Sequence, residues 1–331
     1  TEHFNTKLYT GNGGTQSITG IGFEPSLTWN KQRNGTYSHY LFNAITGTGK
    51  FLKSNSTAAE GTNTDTVTSF DSDGFTLGNA SGNNGSGNTM VSWNWKANGA
   101  GSANTDGDIN STVSANTTSG FSIVSYTGTG SLATVGHGLG VAPAMIIIKN
   151  RSTTNGWEVY HQSLGNTKYM QLHTTSAEGT SATRWNNTSP TSTVFTVNTE
   201  GGVNSSGGNL IAYCFSEVKG FSKFGSYEGN NNVNGTFCYT GMKPSFVMIK
   251  QSSGSNTWCL FDNKRGVNGG MLQIHPNTSA TDSSANDYID FLSNGFKCRN
   301  TATDKNDTGQ SYIYMAFAEA PLVGTNNVPC T

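Results

Sequence analysis

The apolar positions of this chain fall in short runs bounded by glycine, asparagine, serine or threonine. Met145-Ile-Ile-Ile148 and Phe246-Val-Met-Ile249 are apolar at every position, the pattern of a strand covered on both faces. Leu27-Thr-Trp-Asn30 alternates strictly, which predicts a strand with one wet face. Each run follows a Gly-x-x-Pro step (Gly22, Gly140, Gly241) and ends in a lysine, at Lys31, Lys149 or Lys250. Then comes a hairpin pattern: Tyr40-Leu-Phe42, Val159-Tyr160 or Leu260-Phe261, a glycine-bearing turn, and Phe51-Leu52, Tyr169 to Leu172 or Met271 to Ile274. Asp73-Gly74 and Asn294-Gly295 add tight-turn signals, read as supplying the positive φ of type I′ turns.

These landmarks recur three times. The openings are Tyr9-Thr-Gly-Asn-Gly13, Tyr126-Thr-Gly-Thr-Gly130 and Tyr227-Glu-Gly-Asn230, and the closings are Trp93-Asn-Trp95, Tyr213-Cys-Phe215 and Met315-Ala-Phe317. Opening tyrosine and closing aromatic lie 86, 89 and 90 positions apart, with an inner aromatic at Phe75, Phe195 or Phe296. The pattern predicts an all-β chain of three tandem repeats, each a small antiparallel β-sandwich, at 1–98, 120–219 and 220–322. Residues 99–119, poor in apolar side chains, read as a linker, and 323–331 as an exposed tail. The second and third repeats abut through Val218-Lys-Gly220, so they are expected to pack rigidly together, with the first as the atypical member.

Composition narrows the function. Glycine, asparagine, serine and threonine dominate and disfavour helix. Only 12% of residues are charged, the net charge is -1 and no lysine or arginine run occurs, which excludes a phosphate-backbone grip on nucleic acid. No stretch reaches the roughly 18 apolar residues of a membrane helix, so membrane insertion is not expected. The chain begins at Thr1 without an initiator methionine, and Thr1 is expected to follow a processing event or an imposed boundary.

Five cysteines form no CxxC pair and do not decide the compartment. Counted from neighbouring landmarks, Cys214 matches Asn94 and Ala316, and Cys298 matches Leu77 and Val197, which makes both buried fillers. Counted from Pro244, Cys238 matches Thr19 and His137. A bridge among Cys238, Cys259 and Cys298 stays open.

Candidate chemistry is sparse. The glutamates form no paired-carboxylate signature of a sandwich glycosidase. Asp106-Gly-Asp108-Ile-Asn110 alternates oxygen ligands but lacks the glycine and glutamate of an EF-hand loop, so a flexible linker explains it better than a metal. The histidines form no HExxH pattern and propose no triad. No catalytic residue, metal ligand or cofactor is therefore assigned, and a non-enzymatic role is expected. The aromatic candidates are Trp185, within Thr183-Arg-Trp-Asn-Asn187, together with Trp157, Tyr160, His161 and Arg151. An exposed aromatic face beside amides and hydroxyls suits a sugar groove. The alternative is a Trp185 folded back onto the sandwich rim.

Phe4-Asn-Thr-Lys-Leu-Tyr-Thr-Gly-Asn-Gly13, Phe70-Asp-Ser-Asp-Gly-Phe75, Trp93-Asn-Trp-Lys96, Gly120-Phe-Ser-Ile-Val-Ser-Tyr-Thr-Gly128, Val135-Gly-His-Gly-Leu-Gly140 and Tyr314-Met-Ala-Phe-Ala-Glu319 form a set. As a set they resemble a repeat of tail-fibre-like and other virion structural proteins of marine bacteriophages, from about Phe4 to Pro321. The resemblance implies an extracellular virion location, other virion proteins as partners and a surface or adhesion role. It brings no catalytic residues. On that footing the expectation is a homo-oligomeric tail-fibre or receptor-binding protein attaching to host-surface glycan, with two readings open: a trimer like that of fibres, or a triplicated chain that imitates the threefold symmetry alone. A purely structural virion protein and a secreted bacterial adhesin or matrix protein are the alternatives.

Overall fold

The computed structural model describes residues 2–286 and 288–319, so the tail expected at 323–331 lies outside the described residues. The chain is all-β: among the described residues its only helices are four single turns, Ser81–Asn84, Ala182–Trp185, Gly201–Asn204 and Thr303–Asn306. One antiparallel order occurs three times. It runs Phe4–Thr10, Thr89–Trp95, Leu27–Gln32, Tyr40–Asn43 in a first sheet and Ser222–Glu228, Ser311–Phe317, Phe246–Gln251, Cys259–Asp262 in a third. In the second it is Phe121–Thr127, Asn209–Phe215, Met145–Asn150, Trp157–His161, at the centre of an eight-stranded sheet.

Register makes the match residue by residue. Trp95 lies opposite Leu27, Phe215 opposite Met145, and Phe317 opposite Phe246. Period-2 alternation then sends Trp95, Phe215 and Phe317 to one side, where all three sheets face a shared core. The three rings touch one another, with centroids 6.3 Å apart for Trp95 and Phe215, 5.9 Å for Phe215 and Phe317, and 5.8 Å for Trp95 and Phe317. Each such pair contributes about 0.5–1.5 kcal/mol beyond its buried area.

The opposite face of each sheet is covered by a smaller sheet. Gln16–Ile18, Gly74–Leu77 and Val67–Asp71 cover the first. Ala133–Gly136 with Val194–Val197 covers the second, and Phe237–Tyr239, Gly295–Cys298 and Ile289–Leu292 cover the third. The expected wet face of Leu27-Thr-Trp-Asn30 is therefore absent, and every residue of Leu27–Gln32 is buried. Thr28 is satisfied under the small sheet, its Oγ1 donating to Asn94 Oδ1 at 2.9 Å while Asn94 Nδ2 donates to Ser92 Oγ at 3.1 Å, whereas the buried Asn30 amide finds no hydrogen-bond partner among the described residues.

Three sequence signatures acquire physical causes. Each opening tyrosine hydroxyl donates to a carbonyl of a single-turn helix: Tyr9 to Asn83 O (2.8 Å), Tyr126 to Val203 O (2.6 Å) and Tyr227 to Lys305 O (2.6 Å). The buried amides of Asn84, Asn204 and Asn306 follow, each accepting from a backbone N–H of the opening turn. That turn needs a positive φ at Gly13 (73°) and Gly130 (73°), and the third instance meets the need with Asn231 (49°).

Asp73-Gly74 and Asn294-Gly295 do not form the expected type I′ turns. Asp71 pairs with Gly74 and Leu292 with Gly295, so each glycine already sits in its strand. The smallness has another cause: a Cβ would lie 1.9 Å from Ile18 O at Gly74 and 2.1 Å from Cys238 O at Gly295.

The expected linker is also ordered. Ser102–Asn104 and Ser111–Asn116 extend the second sheet beyond Phe121–Thr127. Asp108 Oδ2 is consumed by Thr134, accepting from its N at 2.9 Å and its Oγ1 at 2.8 Å. The segment reads as polar because it lies at a sheet margin, where backbone pairing and short polar caps replace apolar burial.

The first sheet is not set apart, because the contacts form a closed ring. Asn43 Nδ2 donates to Tyr213 OH (3.4 Å), His161 Nε2 to Tyr314 O (3.2 Å) and Trp93 Nε1 to Asp262 Oδ2 (2.9 Å). Loops follow the same rotation: Glu60 N donates to Arg151 O, Glu178 N to Ser252 O and Asp282 N to Arg33 O. The buried lysines brace the turns these loops cover, Lys149 Nζ donating to Asn150 O, Asn155 O and Thr57 O within 3.0 Å.

Candidate ligand-binding site

Cross-strand parity divides the aromatic group around Trp185. Trp157 and Val159 face the shared core, whereas Tyr160 faces the covering layer of the second sheet. Trp157 is buried, stacks on Tyr213 and donates Nε1 to Lys53 O (2.9 Å) and Ser56 O (3.2 Å), which makes it a clasp on the connection between Tyr40–Asn43 and Thr89–Trp95 of the first sheet.

Trp185 is buried as well, which agrees with the folded-back alternative and not with an exposed sugar-binding face. Ser181 Oγ caps its helix by accepting from Thr183 N, and Asn186 and Asn187 at φ 51° turn the chain back. The indole thus packs edge-on to Tyr160 at 6.0 Å and donates to Lys168 O at 3.1 Å. Tyr160 and Trp185 are brought together, but inside a core. Arg151 is held by Glu60 through two hydrogen bonds of 2.9 and 2.8 Å.

His161 belongs to the ring contacts. Its Nδ1 accepts from Ser163 N at 3.2 Å, which leaves the proton on Nε2 for Tyr314 O. Burial pushes its pKa down to about 4. A base held neutral in the fold gives stability that is present above the unfolded value of 6.5 and lost as pH falls through about 4. His161→Asn, which copies Asn43 of the first sheet, is expected to remove about 3 kcal/mol of the acid sensitivity between pH 6.5 and 4. Urea titrations of both proteins across that range check it; parallel pH profiles would refute the assignment.

The described cysteines carry no nucleophile. Cys214, Cys238, Cys259 and Cys298 are free and buried, so no bridge joins the last three. Burial pushes the Cys259 thiol well above its usual range, and the thiol donates to Asp304 Oδ2 at 3.2 Å. His275 is turned away, its ring nitrogens meeting Trp258 O and the Gln273 amide. Register confirms the matches of Cys214 with Asn94 and Ala316, and of Cys298 with Leu77 and Val197. It moves Cys238 to the inward positions of Ile18 and Val135, opposite Phe296, Phe75 and Phe195. The count from proline failed because the intervening loops differ in length.

That corrected register exposes what the sequence reading missed. Phe237 and Tyr239 flank Cys238 and point outward from the third covering sheet, 43% and 63% exposed. The same positions hold Ser17 and Thr19 in the first sheet's cover and Thr134 and Gly136 in the second's. The two rings stand on one strand face, a stride of about 7 Å apart. Phe237 lies over Gly295, where a Cβ would meet the ring at 2.9 Å. Across from Phe237 are Lys297 and then Asp290; Lys297 Nζ donates to Asn234 Oδ1, and Arg299 pairs with Asp290 at 3.2 Å. Aromatic faces thus adjoin an amide, an ammonium and a guanidinium–carboxylate pair. The detectable signal was an aromatic-x-aromatic triplet at a strand that is polar in its two counterparts.

Among the described residues no group of three or more His, Cys, Asp or Glu side chains is disposed to hold a metal ion. None of the described helices is long and apolar enough to cross a membrane. Fold and surface define an all-β protein with an exposed aromatic platform. The chain belongs to the family described as a domain of unknown function, DUF7483, whose model matches residues 1–321. Comparison with curated proteins finds no match.

Proposed function

We propose that the chain is three tandem copies of one small β-sandwich fused into a single body, and that it acts as a surface-attachment protein of tail-fibre or receptor-binding type that holds host-surface glycan. The recurrent sheet order and register support the triplication. The motif set resembling virion repeats supports an extracellular particle as its setting and other virion proteins as its neighbours. The observation that carries the binding role is the Phe237 and Tyr239 pair, large, apolar and exposed where both counterparts are small or polar. Ring faces cover the C–H faces of a sugar while Asn234, Lys297 and Asp290 orient its hydroxyls.

A glycan array probed with the full chain is expected to give a defined set of binders. Tyr239→Ala should weaken them by roughly 10- to 100-fold, the loss of one exposed stacking contact with its ordered surroundings. Both residues point outward, so thermal stability should move little. An array at background, or binding untouched by Phe237→Ala with Tyr239→Ala, would sink the reading.

The ring of sheets favours a second reading, a purely structural virion protein. Its large aromatics are spent on a shared core rather than on a cleft. In that case a particle lacking the protein would lose stability and still adsorb to its host.

A further inference from the structure

At every seam a loop of one sheet crosses the end of the next through the same backbone hydrogen bond. Glu60 N donates to Arg151 O, Asp282 N to Arg33 O and Glu178 N to Ser252 O. Arg151, Arg33 and Ser252 hold equivalent places, since their own N–H groups donate at 2.8 Å to Asn209 O, Thr89 O and Ser311 O, each the first residue of a central strand. At two seams the crossing carboxylate is held by that arginine: Arg151 donates to Glu60 at 2.9 and 2.8 Å, and Arg33 Nε to Asp282 at 2.7 Å. At the second-to-third seam serine stands in the arginine's place, and its Oγ donates to Ser311 O at 3.2 Å. The carboxylate of Glu178 is kept.

Two consequences are visible around Glu178. Its side chain is 27% exposed, against 12% for Glu60 and 11% for Asp282. Lys168 Nζ lies 3.0 Å from it, whereas the equivalent Lys50 turns to Thr62 Oγ1 at 2.9 Å. Pairing fixes that equivalence, with Lys50 opposite Thr62 and Lys168 opposite Thr180, two residues beyond each glutamate. A lysine pair this exposed competes weakly with a planar, two-pronged guanidinium.

The same substitution accompanies a groove of about 410 Å³ on the core-facing side of the third sheet. Glu228, Ser311 and Ser252 form one row of its lining, Ser226 and Ile313 the next, and Glu178 and Leu164 come from loops of the second sheet. The buried lysine of that second row, Lys250, has counterparts in Lys149 and Lys31 and so does not set this seam apart.

We propose that this groove binds a guanidinium group from outside the chain, presented by an arginine side chain of a partner protein or by a small molecule. The group takes the place that the Arg151 and Arg33 side chains fill at the other seams. Glu178 accepts its paired N–H groups, Lys168 turns to Thr180 as Lys50 does to Thr62, and Leu164 and Ile313 flank the aliphatic stem. The site lies on the opposite face of the third sheet from the cover that carries Phe237 and Tyr239, and it stands independently of the glycan reading.

The probe is N-acetyl-L-arginine methylamide, titrated into the isotope-labelled full chain and followed through the amide resonances of Glu178 and Ser252. Saturable shifts are expected, with affinity about tenfold lower for the citrulline counterpart, which keeps the shape and loses the charge. Glu178→Gln should weaken binding by a similar factor, and Ser252→Arg should abolish it by supplying the guanidinium from within. Should Ser252→Arg unfold the chain, Glu178→Gln and the citrulline probe still decide. Free L-arginine binding more tightly than the capped form would assign the group to a small molecule, and the reverse order to a partner protein. No saturable shift, equal binding of citrulline, or binding untouched by Glu178→Gln would each overturn the proposal.

Discussion

Phe317→Ala is expected to shift the thermal unfolding of the entire chain as one transition, by about 4–7 °C. The Phe317 ring is 1% exposed and touches Phe4 at 5.4 Å, Trp95 at 5.8 Å, Phe215 at 5.9 Å and Phe246 at 6.1 Å, so it binds three sheets at one point. Truncating a buried phenylalanine costs about 3–5 kcal/mol, through lost transfer energy and the cavity left behind. That is a large share of the roughly 5–15 kcal/mol that holds a protein folded. Beads on a linker would confine the loss to the third sheet and leave two unshifted transitions. Calorimetry of wild type and variant separates these outcomes, and several resolved wild-type transitions would refute a cooperative shared core.

Arg265→Met is expected to cost a comparable 3–5 kcal/mol for a different reason. The Arg265 side chain is wholly buried, with Nε donating to Asp262 Oδ2 at 2.6 Å and Nη1 to Asp282 Oδ1 at 2.7 Å. Asp262 also accepts from Trp93 Nε1, and Asp282 from Arg33 Nε at 2.7 Å, which welds the third sheet to the first. Methionine keeps much of the volume but leaves a buried carboxylate without its cation, and the uncompensated charge dominates the loss. Asn43 and His161 stand at the place of Asp262 in the other sheets, and both are neutral. Adding Asp262→Asn to Arg265→Met should therefore recover about half of the loss. Denaturant unfolding of the singles and the double checks this, and strictly additive losses would show that charge is not the cause.

Much of the architecture was legible because strands with turn residues between them carry a period-2 record of their buried faces. The closing aromatics and the Cys214 and Cys298 positions are where that record places them. Side chains whose polarity misrepresents their burial were not legible. Thr28 and Asn94 satisfy each other inside a core, and Trp157 and Trp185 each spend the indole N–H on a backbone carbonyl. Nothing in a linear pattern separates these from exposed groups, since the partner lies 66 positions away for Thr28 and 104 for Trp157. The Phe237 and Tyr239 platform was obscured by loop length, which displaced the comparison by one residue and set Cys238 beside Thr19 instead of Ile18.

The ring of sheets closes through three seams with unlike chemistry: an amide to a phenol, an imidazole to a carbonyl, and an indole to a carboxylate. In an assembly of identical subunits any substitution at such a joint is copied around the axis, and a change harmful to one joint harms all. Here each joint has its own codon. Acid can loosen the second-to-third joint by protonating His161, dilution cannot dissociate joints made within one chain, and each face is free to acquire a partner without altering its neighbours.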